Sequence, residues 1–152
     1  MRRVTVLALL MVVVLAVGGA QSQSSSAADE VIAVTQAQWT AEMRKDMEGS
    51  QKMVAEDYTE FNDDYPTRLD GKKLNRKLAE ANLGSPGRLM AAEMANEKVQ
   101  VYGDVAILTY NFIGVAADKD GKTEPTRAKS TRVYVKKDGQ WWLVHANFAP
   151  AR

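Results

Sequence analysis

Cysteine is absent from the 152-residue chain, and histidine occurs once, at position 145. Without cysteine no disulfide can staple the fold and no lipidated cysteine can anchor it, so stability has to come from a packed core. A single imidazole and no thiolate are too few soft ligands for a zinc or other transition-metal centre, and no cofactor is expected. Charge of one sign is also lacking, since 20 basic residues face 19 acidic ones. No clustered basic excess exists to draw nucleic acid or an anionic membrane surface, and both partners are set aside. Long apolar runs are confined to Val4 to Val17, a stretch of 14 residues, whereas spanning a bilayer core takes roughly 20.

That apolar run follows Arg2 and Arg3 and precedes Gly18-Gly19-Ala20. A basic start, a short apolar middle and a small-residue end form the layout of a cleavable secretory signal, here residues 1–20, with a cut near Ala27 as an alternative. The expected product is periplasmic or secreted, with no stable membrane anchor after cleavage. Its new terminus, residues 21–28, reads as a flexible polar segment. The 132 residues left, 21–152, suit one domain, placed at residues 29–152, and carry 18 basic against 19 acidic side chains.

Along the mature chain, Asp29 caps a helix on which Ile32, Thr35, Trp39, Met43 and Met47 recur every three or four residues. Gly49 is expected to end it and Ser50 to cap a short second helix through Val54. Asp57 to Phe61 reads as a first strand, Asp70-Gly71 as a turn, and Leu74, Leu78 and Ala81 as the stripe of another helix, stopped at Gly84-Ser85-Pro86-Gly87. Beyond Gly87, β-branched and aromatic residues dominate. Val99–Tyr102 and Val105–Val115 flank a Gly103-Asp104 turn, and Asp118 to Gly121 makes the next one. Thr131–Lys137 and Gln140–Phe148 form a last hairpin about Asp138-Gly139, a pair that supplies the positive φ angles of a type I′ turn. Helices first and strands afterwards predict an α+β fold, with N-terminal helices packed on a strongly curved antiparallel sheet.

Counting outward from Asp138-Gly139 pairs Tyr134 with Leu143, Val133 with Val144, and Arg132 with His145. One face then carries Val133, Val135, Trp142, Val144, Ala146 and Phe148, an apolar surface that calls for helices or a second subunit to cover it. The other carries Ser130, Arg132, Tyr134, Leu143, His145 and Asn147, which reads as the lining of a pocket or, more plainly, as structural and solvated polar groups. A buried Arg132 needs a partner, because an unpaired buried charge costs several kcal/mol. Glu60, Asp64 or an anionic ligand could supply one.

Catalytic motifs are few. Asp118-Lys119-Asp120-Gly121 lacks the further acidic ligands of a calcium loop, and Gly121-Lys122-Thr123 has Ala116 where a phosphate loop needs its first glycine. No Gly-x-Ser-x-Gly occurs. General acid–base chemistry stays open, with His145 as the proton carrier and Tyr58, Asp57 or Asp64 beside it.

Ser130-Thr131-Arg132-Val133-Tyr134, Lys137-Asp138-Gly139-Gln140-Trp141 and Val144-His145-Ala146-Asn147 together resemble the last hairpin of SnoaL-like, or nuclear-transport-factor-2-like, proteins. They likewise resemble that of the association domain of calmodulin-dependent protein kinase; the shared pattern runs Thr-Arg-Val-Trp, Asp-Gly-Lys-Trp, Val-His-x-His. Trp39, Ala55-Glu56-Asp57-Tyr58 and Tyr102-Gly103-Asp104-Val105-Ala106 also fit. The resemblance implies a cone with an internal pocket, usually in dimers or larger assemblies, and carries over Arg132 and His145 as pocket residues. Tyr134 stands where the family has Trp and Asn147 where it has a second His, so chemistry needing two histidines is not implied. Fold alone does not give function. The expected role is an exported ligand-binding or assembly domain, with Tyr58, Arg132, Tyr134, His145 and Asn147 toward a small organic or anionic ligand, forming a homodimer or larger homo-oligomer. The alternative is a small isomerase or dehydratase using His145 on an apolar carbonyl compound.

Overall fold

A 26-residue helix, α1 (Gly18–Met43), opens the computed structural model, which describes residues 18–63, 65–84 and 88–151. The basic start and apolar run of the leader, and Asp64, lie outside the described residues. The helix takes in residues 21–28, read above as flexible; that stretch holds no Gly or Pro to interrupt it. Val31, Thr35 and Trp39 form its buried stripe. Its stop is at Lys45 rather than Gly49. Lys45 adopts φ 58°, its N–H bonds Glu42 O at 3.0 Å and the Asp46 N–H bonds Ala41 O at 2.8 Å. That is the double bond of a Schellman cap, with lysine in the left-handed position more often taken by glycine. Asp46, not Ser50, then caps α2 (Met47–Gln51) by accepting from the Gly49 N–H at 3.0 Å.

Strands β1 (Val54–Asn62) and β2 (Leu69–Asp70) follow, then α3 (Lys72–Gly84), β3 (Arg88–Tyr102), β4 (Val105–Ala117), β5 (Thr123–Lys137) and β6 (Gln140–Pro150). Among the described residues they form one open sheet in the order β2-β1-β6-β5-β4-β3. The four late strands are longer than their β-rich sequence cores. β3 starts at Arg88 because pairing with β4 satisfies a backbone whose own composition, Ala-Ala-Glu-Met-Ala, favours helix. The sheet is mixed rather than purely antiparallel, since β1 runs parallel to β6. These two strands are not joined by a hairpin, so no turn dictates opposite directions. Register shifts in β1/β6, β3/β4 and β5/β6 bend the sheet into its curve.

The shift in the last hairpin overturns an expectation. Asp138 and Gly139 have φ 52° and 76°, and Lys136–Trp141, Val135–Trp142 and Tyr134–Leu143 pair as counted. Beyond Tyr134 a bulge leaves Val144 unmatched, so that His145 faces Val133, Ala146 faces Arg132 and Asn147 faces Thr131. Ala146 and Phe148 therefore share Arg132's face, and His145 and Asn147 take the opposite one. The exchange places a methyl group instead of an imidazole against the guanidinium, and Ala146 is fully buried there.

On the helix-covered face, Leu108, Tyr110, Tyr134, Leu143 and Ala146 pack with Val31, Trp39 and Tyr58 into the core. Three side-chain bonds tie α1 to β5 in order. Glu30 takes the Lys136 ammonium at 2.8 Å, Thr35 meets the Tyr134 hydroxyl at 2.7 Å, and Gln38 accepts from Arg132 at 2.5 Å. Two strand residues advance about 6.6 Å and four helical residues about 6 Å, so alternate residues of β5 meet successive turns of the helix. Glu30 also accepts from Trp141 Nε1 at 2.8 Å.

Candidate functional site

Between the concave face of the sheet and the helices lies a cavity of about 730 Å³, within the usual range for small-molecule sites. Its floor comes from β1, β4, β5 and β6 through Tyr58, Glu60, Tyr110, Arg132 and Phe148. One wall is α1, through Gln38, Trp39 and Glu42, and α3 closes another with Asn75, Leu78 and Asn82. Exposed Arg88, Arg127 and Asp63 stand at its rim. The strand residues reach the floor because they alternate on the concave face, and the α1 residues because they are spaced three or four apart.

Arg132 is the central group, with 4 % of its surface exposed. Its Nε donates to the Tyr110 hydroxyl at 2.9 Å and its Nη1 to Gln38 Oε1 at 2.5 Å. The guanidinium lies 5.4 Å from the Phe148 ring centre and 5.9 Å from that of Trp39, a cation held between two π faces. Burial opposes its charge, but Tyr110, Tyr134, Tyr58 and Glu42 outweigh that and raise its pKa above the ordinary value, so it stays protonated. Among the described residues it forms no ion pair.

Two carboxyl groups face the cavity, Glu60 from the floor and Glu42 from the α1 wall. Glu60, expected as a partner of Arg132, accepts instead from the Tyr58 hydroxyl at 2.5 Å and from Asn62 Nδ2 at 3.1 Å. Burial, and then the Glu60 charge, push the Tyr58 hydroxyl well above its usual pKa, so it remains a donor. Glu42 makes no hydrogen bond and no ion pair among the described residues. Burial raises its pKa, Arg132 draws it down, and Glu60 raises it again, with a net upward result.

Of the residues expected in the pocket, Tyr58 and Arg132 line it. Tyr134 is fully buried behind the wall, where it holds α1. His145 and Asn147 are on the convex face, contrary to the expected register. His145 Nδ1 is 2.8 Å from Thr59 Oγ1, and its ring meets Phe61 edge-on at 6.1 Å between centres. Asn147 borders a shallower convex-face depression with Asn96 and Asn111. Gln38 and Glu42 were missed, because a search for apolar periodicity passes over polar residues. Their positions, three and seven residues after Thr35, were the available signal.

Residues 27–151 match the family model described as the calcium/calmodulin dependent protein kinase II association domain. Among solved structures, the association domain of the C. elegans kinase is similar with a TM-score of 0.70 and 24% identity, covering 85% of this chain and 98% of that one. The hub homology domain from Chlamydamonas reinhardtii gives 0.70 and 25%, covering 83% and 99%. A nuclear-transport-factor-2-like protein of unknown function from Pseudomonas putida gives 0.68 and 20%, covering 82% and 87%. No curated protein sequence matches the chain.

Proposed function

Because the chain belongs to the calcium/calmodulin dependent protein kinase II association-domain family, we propose that it is an exported, non-catalytic domain that assembles with copies of itself and holds a small organic molecule in its cone. The observation that carries this reading is the 730 Å³ cavity with a buried guanidinium at its floor. A buried cation that no carboxylate among the described residues pairs with, in a concave space walled by aromatic rings, is the kind of polar anchor that orients a bound ligand.

Self-assembly is supported by the convex face, which the helices leave uncovered and which exposes Phe61, Tyr102, Val105, Ile113 and Val115. Apolar side chains grouped on one sheet face are an interaction surface. Two related structures are themselves described as a hub and a hub homology domain. The proposed role gives His145 no part in proton transfer, since its imidazole lies across the sheet from the cavity. Export rests on the leader pattern of residues 1–20.

Native mass spectrometry of the protein isolated from its own compartment tests all three parts at once. The expected spectrum shows a chain cut near Ala20, an oligomer of it, and an added small-molecule mass lost on activation. A bare monomer that keeps its leader would refute the proposal.

A further inference from the structure

The polar groups lining the cavity divide into those the fold uses and those it leaves open. Glu60 accepts one bond on each oxygen, from Tyr58 and Asn62, while Tyr110 and Gln38 each accept from Arg132. Two groups are left half-used. Among the described residues Arg132 engages Nε and Nη1 and keeps Nη2 without a bond, and the Glu42 carboxyl has no hydrogen bond at all. They act on each other electrostatically yet form no ion pair, so the space between them is not closed by their own contact. The Glu42 side chain is part-exposed and lines the same cavity as Arg132, so its carboxyl faces the space a ligand would fill. The arrangement makes physical sense if something else completes it.

We infer that the cavity selects a small zwitterion with an apolar body, its anionic group on Arg132 and its cationic group on Glu42. This rests on the reading of the cavity as a ligand site. An anion alone would satisfy Arg132 while facing the charges of Glu42 and Glu60; a cation alone would satisfy Glu42 and be repelled by the guanidinium. A molecule carrying both leaves neither group open. Trp39, Phe112 and Phe148, with Leu78 from α3, provide the apolar wall for its body.

Three probes that share one ring and differ only in charged groups test this: L-phenylalanine, 3-phenylpropionate and 2-phenylethylamine, titrated calorimetrically into the mature protein at neutral pH. Phenylalanine is expected to bind at least about ten-fold more tightly than either of the others, the factor expected for one lost charge-assisted contact. Glu42→Gln should bring phenylalanine and 3-phenylpropionate to within about two-fold of each other, and Glu42→Asp, which keeps the charge, should retain the preference. Circular dichroism checks that each variant folds. If the native protein binds 3-phenylpropionate or 2-phenylethylamine as tightly as phenylalanine, the charge-pair selection is wrong while the cavity remains a ligand site. If none of the three binds at millimolar concentration, the selection is wrong; a protein that is also bare by native mass spectrometry removes the ligand-site reading with it.

Discussion

Replacing Tyr134 by Phe and Thr35 by Val, singly and together, isolates the bond that holds α1 on the sheet. Both residues are fully buried, and their oxygens are 2.7 Å apart. The Thr35 hydroxyl already donates to Val31 O at 3.0 Å, so in the shared bond Tyr134 is the donor and Thr35 the acceptor. Tyr134→Phe removes the donor and leaves Thr35 with its other bond intact, at a cost of about 1 kcal/mol. Thr35→Val leaves a buried phenolic O–H with no acceptor, at a cost of about 2 kcal/mol. The double variant loses the bond once and strands no donor, so it should cost about 1.5 kcal/mol, a coupling of about 1.5 kcal/mol. Urea unfolding followed by the fluorescence of Trp39, Trp141 and Trp142, at fixed protein concentration, measures all four species; 1 kcal/mol corresponds to roughly 3–5 °C in melting temperature. Equal costs for the two single variants, or a coupling below about 0.3 kcal/mol, would refute the assigned direction of the bond.

The Glu42 carboxyl has a pKa above its reference value of 4.5 in the folded chain, so the folded state binds its proton more readily than the unfolded state. Its contribution is therefore most favourable below 4.5 and declines as the pH rises through the interval above it. Glu42→Gln should abolish that decline, making the variant's stability advantage over the native protein grow with pH above 4.5 and then level off; an advantage that shrinks with rising pH contradicts the assignment. Ile113→Lys with Val115→Lys places two charges on the exposed convex face and should reduce the mass by light scattering to that of one chain with an unchanged circular dichroism spectrum. An undiminished mass puts the interface elsewhere. His145→Ala should leave any bound ligand mass in place and cost at most about 1 kcal/mol, the worth of its hydrogen bond to Thr59. Release of the ligand by that substitution would show that the imidazole communicates with the cavity.

What could be read from residues alone was whatever a few neighbouring residues decide among themselves. Asp138-Gly139, Gly103-Asp104 and Asp118 to Gly121 announced their turns because positive φ angles favour Gly, Asn and Asp, and alternation announced β4 to β6 because a pleat has a period of two. The apolar spacing of α1 was legible for the same kind of reason, while its end was not, since Lys45 takes a left-handed position that gives lysine no compositional mark. Beyond Tyr134 the register depends on what fits under α1. A guanidinium between Trp39 and Phe148 accommodates the methyl group of Ala146 beside it, and the backbone takes up Val144 as a bulge to put it there. That one residue moved His145 out of the pocket, and the docking of α1 brought Gln38 and Glu42 in. Local chemistry determined the elements and their turns; the competition among side chains from helices and strands around one enclosed space decided which face each strand residue shows, because burial is settled by neighbours that are far away in the chain.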